Sequence, residues 1–446
     1  MNTEQITISE TNENSPIRWM FYIELAVLIA LVFVRNVLKA EIPVLVFLVI
    51  TGIITLLGTK EEIVTLGICC IPLSTAFQYK YTLLICILVY GFKYPKDIKL
   101  NQHVFPLLCM MVWEFVHALA YDFTLNEYFR SFSEMIFCTF LMLCTYKKYD
   151  YGKICRILAV CTICLLFMLL INLLKEVNFQ RLFQGEYRLG VEIDRENYDI
   201  GYNPNTLGYM CLLSIAGLLQ LVVAKQQRTS DYVLMALLLF FGVLTKSRSF
   251  LISGAVLLLM FIWCWKPNVS GRIKNFFLVA VIVTAVIIVL SMFMPYVLES
   301  FSKRFQQEDI TNGRADLFAF YNEHIFSNFK YLYFGVGLQD MRDKIQAIYG
   351  INVTVWNTTH NGIQELVLVW GLPGLFMFAA FIWSILSSSK DASGKRTFVS
   401  FMPLLLTLLK VQAGQMISSG MTMLAFSFIY IGLCMNFKGE EHHGDD

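Results

Sequence analysis

The chain has 446 residues, a formal net charge of +2, 57% hydrophobic residues and only 15% charged ones. A soluble domain carries about a quarter charged residues, so a soluble globular fold is excluded; the near-neutral balance says little about partners, and no nucleic-acid partner is expected. Repeated apolar runs near 20 residues match the thickness of a bilayer; the pattern is that of an all-α polytopic membrane protein.

The first 18 residues are polar, with no basic n-region and no small-residue cleavage site, so they read as an N-terminal segment and not as a cleavable signal peptide. Apolar runs follow at 19–37, 42–58, 62–77, 80–92, 103–121, 128–146, 154–174, 205–224, 231–246, 249–265, 273–293, 362–386, 398–413 and 416–435. The run 80–92 is short for a span and reads as tilted or re-entrant, and the last two runs can form a broken hairpin. Twelve to fourteen spans therefore make up a transmembrane domain over 19–437, and 438–446 is a short charged tail.

Lys and Arg in the short loops set the expected orientation. Lys60, Lys93, Lys96, Lys99, Lys147, Lys148, Lys153, Lys225, Arg228, Lys266, Arg272, Lys274, Lys390, Lys395 and Arg396 fall in alternate loops, which are read as cytoplasmic together with both termini. The opposite short loops hold only Arg35, Lys39, Lys80, Lys246 and Arg248. Two long polar segments, 175–204 and 294–361, then face outward. The 12 cysteines fall mostly inside apolar runs, where they act as small buried residues and not as a disulfide framework.

The segment 175–204 mixes six acids with Lys175, Arg181, Arg188 and Arg195, and closes with Asn203-Pro204-Asn205-Thr206, where Asn205 or Thr206 can cap the next span. In the second segment, Thr311 or Asn312 can cap a helix from about Gly313 to Ser327, resting on the membrane domain through Leu317, Phe318, Phe320, Tyr321 and Ile325. Gly335 and Gly337 make a turn, a second helix is expected from Gln339 to Ile348, and Ile351–Val355 reads as extended.

Several polar residues at the outer ends are open to two readings. Arg248, in the turn Thr245-Lys246-Ser247-Arg248-Ser249, is either a cation snorkelling to the interface or one facing a cavity, with Lys246 beside it adding to an anion site. Arg314 lies in the first turn of its helix, where the dipole disfavours a cation. It is held there either by a bound anion or by an ion pair with Asp316 or Glu308. His360 is either a structural residue before the span or a proton shuttle, with Asn361 and Glu365 near enough to orient it and His324 as its competitor. Arg188, Arg195 and Arg304 are further cations, each either a solvated charge or a substrate contact. The absence of GxxxxGKS/T speaks against ATP-driven transport, and neither HExxH, nor metal-ligand Cys/His spacing, nor GxSxG is present.

Taken in order, these motifs resemble a known family: Asn203-Pro204-Asn205-Thr206-Leu207-Gly208, Thr245-Lys246-Ser247-Arg248-Ser249, Gly313-Arg314-Ala315-Asp316-Leu317-Phe318, Phe334-Gly335-Val336-Gly337, Thr359-His360-Asn361-Gly362-Ile363-Gln364-Glu365-Leu366 and Trp370-Gly371-Leu372-Pro373-Gly374-Leu375. The chain is similar to the O-antigen ligase/polymerase superfamily of bacterial envelope glycosyltransferases, most clearly from about residue 200 to 375; the earlier spans match only in hydropathy. The resemblance implies a GT-C type membrane fold in a bacterial inner or plasma membrane, no metal or nucleotide cofactor, and sugar chains on undecaprenyl diphosphate as donor and acceptor. It also implies a chain-length regulator and a flippase as companions. Carried over by motif, Arg248 and Arg314 hold the donor diphosphate and His360 activates the acceptor hydroxyl, with Arg188, Arg304, Lys246, Asn361 and Glu365 as substrate-binding residues. A Wzy-type polymerase is preferred because two Arg-rich outer segments can hold two lipid-linked substrates. The other readings are a ligase, a transporter or flippase, and a non-catalytic assembly subunit. Span interiors nearly free of charge, apart from Glu24, Glu114, Glu134 and Lys410, weigh against a transport pathway.

Overall fold

In the computed structural model of the protein the described residues are 17–73, 79–120, 125–144, 149–178, 181–182, 187–190, 203–265, isolated positions between 271 and 299, 314–337, 360–393, 398–412 and 420–434. Fifteen α-helices lie within them, and no strand does. The first seven are α1 (Trp19–Asn36), α2 (Val44–Leu57), α3 (Lys60–Leu73), α4 (Tyr79–Lys93), α5 (Phe105–Ala120), α6 (Leu125–Leu143) and α7 (Tyr151–Glu176). Then come α8 (Pro204–Val223), α9 (Thr229–Leu244), α10 (Arg248–Trp265), α11 (Arg314–Ser327), α12 (Phe329–Phe334), α13 (Gly362–Ser393), α14 (Met402–Gln412) and α15 (Gly420–Leu433). Five stretches, Trp19–Asn36, Gln102–Ala120, Tyr151–Glu176, Pro204–Val223 and Gly362–Ser389, are long and apolar enough to cross a membrane, and six shorter apolar helices accompany them. The protein is an all-α polytopic membrane protein. The expected span 273–293, the helix 339–348, the extended piece 351–355 and Arg304 lie largely or wholly outside the described residues.

Polar side chains tie the helix ends together and define the two ends of the bundle. At the lysine-rich end Thr59 and Glu62 form a capping box at the start of α3. Thr59 N donates to Glu62 Oε2 at 2.8 Å, and Glu62 also accepts from the Arg18 guanidinium at 3.0 Å. Lys60 pairs with Asp97 at 3.1 Å, and the Asp150 amide donates to Glu61 at 2.7 Å. Arg156 grips Asp231 with two bonds of 2.8 and 2.9 Å. At the opposite end Asn172 donates to the Asn36 carbonyl at 3.1 Å and Lys175 to that of Val37. This partition puts the lysine-rich loops together, as the charge pattern anticipates.

The interior is built around α8, which is buried along nearly its whole length and is packed by α7, α9, α10 and α14. The outer surface is apolar: Ile23 and Val27 on α1, Val49 and Ile53 on α2, Val112 and Leu119 on α5, and Phe376 and Trp383 on α13 are all exposed. A soluble protein rarely shows so continuous an apolar surface; lipid is the solvent that suits it.

Three sequence expectations are corrected in detail. The cap of α8 is Asn203, whose side chain accepts from the Asn205 amide, because Pro204 occupies the first helical position and fixes the start of the turn. On α11, Leu317, Tyr321 and Ile325 are buried as expected, but Phe318 faces outward at 43% exposure. The apolar run beginning at 362 is not one continuous helix. It breaks at Gly371, whose φ of 69° and ψ of −168° are not helical. The piece after the break runs on to Ser393. The piece 362–370 is tied to α11, to the turn 334–337 and to α5.

Candidate functional site

The end opposite the lysine-rich loops carries the sequence-predicted site residues, in two halves. In the first half, α9 ends at its C-cap Thr245, and Lys246 follows at φ 48°. A left-handed residue just past a helix end is commonly glycine. Here a lysine occupies it, buried, with its ammonium donating to the Tyr187 carbonyl. Arg188 Nε donates to the Thr245 carbonyl at 2.9 Å and the Leu189 amide to that of Leu244 at 3.0 Å. The piece 187–190 is thus fastened onto the Thr245–Ser249 turn. Arg188, Lys246 and Arg248 converge there, with Arg248 half-buried as the first residue of α10.

That turn is also joined to the start of α8. Ser247 Oγ donates to Asn205 Oδ1 at 2.7 Å and lies 2.8 Å from Ser249 Oγ, while the Phe250 amide donates back to Ser247 Oγ at 3.3 Å. Two motifs that are some forty residues apart in sequence form one polar knot.

The second half surrounds the start of α13. His360 stands just before the helix at φ 52°, half-buried. Non-glycine residues rarely take that conformation, although His is enriched among those that do. Asn361 is the N-cap: its Oδ1 accepts from the amides of Ile363 at 3.0 Å and Gln364 at 3.1 Å, and its Nδ2 donates to the Gln412 carbonyl at the end of α14. Gln364 Nε2 donates to the Phe318 carbonyl at 2.8 Å and to Asn322 Oδ1 at 3.0 Å, which ties α11 to α13. Glu365 is fully buried one turn below Asn361. Arg314 is the first residue of α11, as the sequence suggests; its side chain and that of His324 lie outside the described residues.

The break at Gly371 is closed by the turn Phe334-Gly335-Val336-Gly337. Breaking a helix leaves its last carbonyls without amide partners. The Val336 and Gly337 amides supply them, donating to Leu368 O at 2.9 Å and Val369 O at 2.7 Å. The fit requires both glycines: a Cβ on Gly335 would lie 2.4 Å from the Val369 carbonyl oxygen, and one on Gly371 would lie 2.4 Å from that of Tyr333. Helix α5 clasps the junction from the side. Trp113 Nε1 donates to the Trp370 carbonyl at 2.9 Å, Trp370 Nε1 donates to Glu114 Oε2 at 2.7 Å, and His117 directs its ring nitrogens at the carbonyls of Trp113 and Phe334. Sequence reasoning missed this clasp, although Glu114, a charge inside an apolar run, was its visible trace.

Residues 233–379 match the O-antigen ligase family. Over that stretch, about a third of the chain, the protein is similar to the O-antigen ligase/polymerase superfamily. No curated protein matches the chain. The matched stretch runs from α9 to just past the Gly371 break, so the superfamily region contains Lys246, Arg248, Arg304, Arg314, His360, Asn361 and Glu365, whereas Arg188 and the Asn203–Thr206 cap precede it. The match supports an O-antigen ligase/polymerase type of function, a type that implies lipid-linked polysaccharide substrates in the membrane.

Proposed function

We propose that this protein is a polysaccharide polymerase of the Wzy type, extending oligosaccharide repeat units carried on undecaprenyl diphosphate at the outer face of a bacterial inner or plasma membrane. The observation that carries the proposal is the convergence of Arg188, Lys246 and Arg248 on one turn, at the same end of the bundle as the capped start of α13 that presents His360. Arg248 and Arg314 bind the donor diphosphate. Guanidinium forks match phosphate oxygens, and their charge offsets the negative charge that grows on the leaving group as the glycosidic bond breaks. His360 accepts the proton of the attacking acceptor hydroxyl, a weak nucleophile without a base. Attack from the face opposite the diphosphate inverts the anomeric carbon, and no step calls for a metal. Arg188 and Arg304 serve the second lipid-linked substrate; Lys246 holds the loop piece that presents Arg188, while Asn361 and Glu365 orient the start of α13.

Ligation of a finished glycan onto lipid A-core or another acceptor is the second reading, favoured by the ligase description of the matched family. The diphosphate role is common to both readings and is tested by Arg314→Lys. Lysine keeps the charge and loses the bidentate fork, so glycan transfer should collapse while the protein is still made and inserted. Transfer at the wild-type rate would remove Arg314 from the site.

A further inference from the structure

The two halves of the site are joined by a charged group that no sequence motif covers. Lys410 stands near the end of α14, within an otherwise apolar helix. Its ammonium donates to Thr422 Oγ1 of α15 at 2.7 Å and sits 4.6 Å from the centre of the Tyr209 ring of α8; the charge of Glu365 on α13 acts on it, and two residues on, the Gln412 carbonyl accepts from Asn361 Nδ2 of α13 at 3.3 Å. Tyr209 and Thr407 share a hydrogen bond of 2.7 Å, which fixes the ring beneath the ammonium. Tyr209 lies one helical turn below Asn205, which holds Ser247 beside Arg248. Glu365 lies one turn below Asn361, beside His360. The end of α14, through Lys410 and Gln412, therefore contacts the helices that present both halves.

We propose that Lys410 is a positioning residue for glycosyl transfer, the strut that with Glu365 and Tyr209 sets the spacing between the Arg248 turn and His360. The inference rests on the glycosyl-transfer reading above. A charge placed within apolar spans is costly unless it is paired or used, and each partner of this one comes from a different helix. Removing it withdraws the contacts to Tyr209 and Thr422 and a charge that acts on Glu365, and the start of α13, tied to α14 at Gln412, shifts against α8. The cations at the Arg248 turn keep their own hydrogen bonds. Donor binding should thus persist while the reacting groups lose register, and a displacement near 1 Å lowers rates by about 10²-fold.

The test uses the full chain in vesicles with a synthetic undecaprenyl-diphosphate repeat unit, following chain extension in Lys410→Met, Glu365→Gln and the double variant. Lys410→Met should lower kcat by roughly 10–100-fold and leave KM for the lipid-linked donor within about twofold. The double variant, in which neither charge remains, should lose less than the two single losses combined. Thr422→Val, which removes one hydrogen bond and keeps the charges, should lower kcat severalfold and serves if Lys410→Met does not fold. Unchanged kcat in the folded variants, or a loss confined to KM, overturns the strut while leaving glycosyl transfer in place. A wild-type protein that forms no product overturns the glycosyl-transfer reading and the strut with it.

Discussion

His360 and Lys246 share a backbone conformation unusual for their residue types, at φ 52° and 48°, and both lie at helix edges beside the proposed reaction centre. Strain of this kind persists where surrounding structure over-determines it, and it gathers at functional sites. For Lys246 the determining contact is the bond to the Tyr187 carbonyl. For His360 the Asn361 cap fixes the residue that follows it. Replacing His360 with Ala should leave binding of the lipid-linked donor intact and slow transfer by about 10²–10⁴-fold, the usual contribution of a positioned base. Equilibrium donor binding and single-turnover transfer measure the two parts separately. Transfer at the wild-type rate would shift the role to His324 or to a reaction without a base. At this scale the sequence marked Arg314 by a broken local rule, a cation at a helix start, and Lys246 only by its place beside Arg248; the backbone conformation of Lys246 came from the structure. It was silent on Tyr209, an aromatic in an apolar run that periodicity cannot distinguish from ordinary core.

Among the elements, the broken helix α13 determines how the site is built. Hydropathy presents 362–386 as one continuous span, since a glycine and a proline in an apolar run lower no average. The break is legible only in Gly371 and Pro373, and its partner turn at 334–337 lies more than thirty residues earlier. Helix α12 and the α5 clasp escaped prediction for the same reason: the first packs on a helix some thirty residues on, the second spans more than two hundred residues, as between Trp113 and Trp370, and no periodic pattern encodes either. Gly371 and Gly335 occupy a region of φ and ψ open essentially to glycine alone. Gly371→Ala would add about 1–3 kcal/mol of backbone strain as well as the 2.4 Å approach to the Tyr333 carbonyl. A lowered melting temperature in detergent and loss of transfer are expected. Ala at Gly254, where the nearest side-chain atom is 3.5 Å away, should be tolerated and is the matched control. Equal melting temperatures for the two variants would mean that the break does not depend on Gly371.

Across the whole molecule, charge bias, helix ends and polar ties agree. Lys60, Lys93, Lys153 and Arg228 lie at one end of the bundle, and the Arg248 turn and the capped start of α13 lie at the other. The all-α membrane architecture was plain from composition, because long apolar runs with few charges have no other stable form. The joining of the site's halves through Lys410 was not, since it depends on how α8, α13, α14 and α15 pack. A reaction run by guanidinium groups and one histidine should proceed undiminished in excess EDTA, and loss of transfer restored by Mg²⁺ would require a metal in the mechanism. The most direct measurement incubates the purified protein in sealed vesicles with a synthetic undecaprenyl-diphosphate repeat unit and resolves the glycans by size. The account predicts a ladder whose steps equal one repeat unit. Substrate carried intact across the bilayer, with no new glycosidic bond, would contradict it.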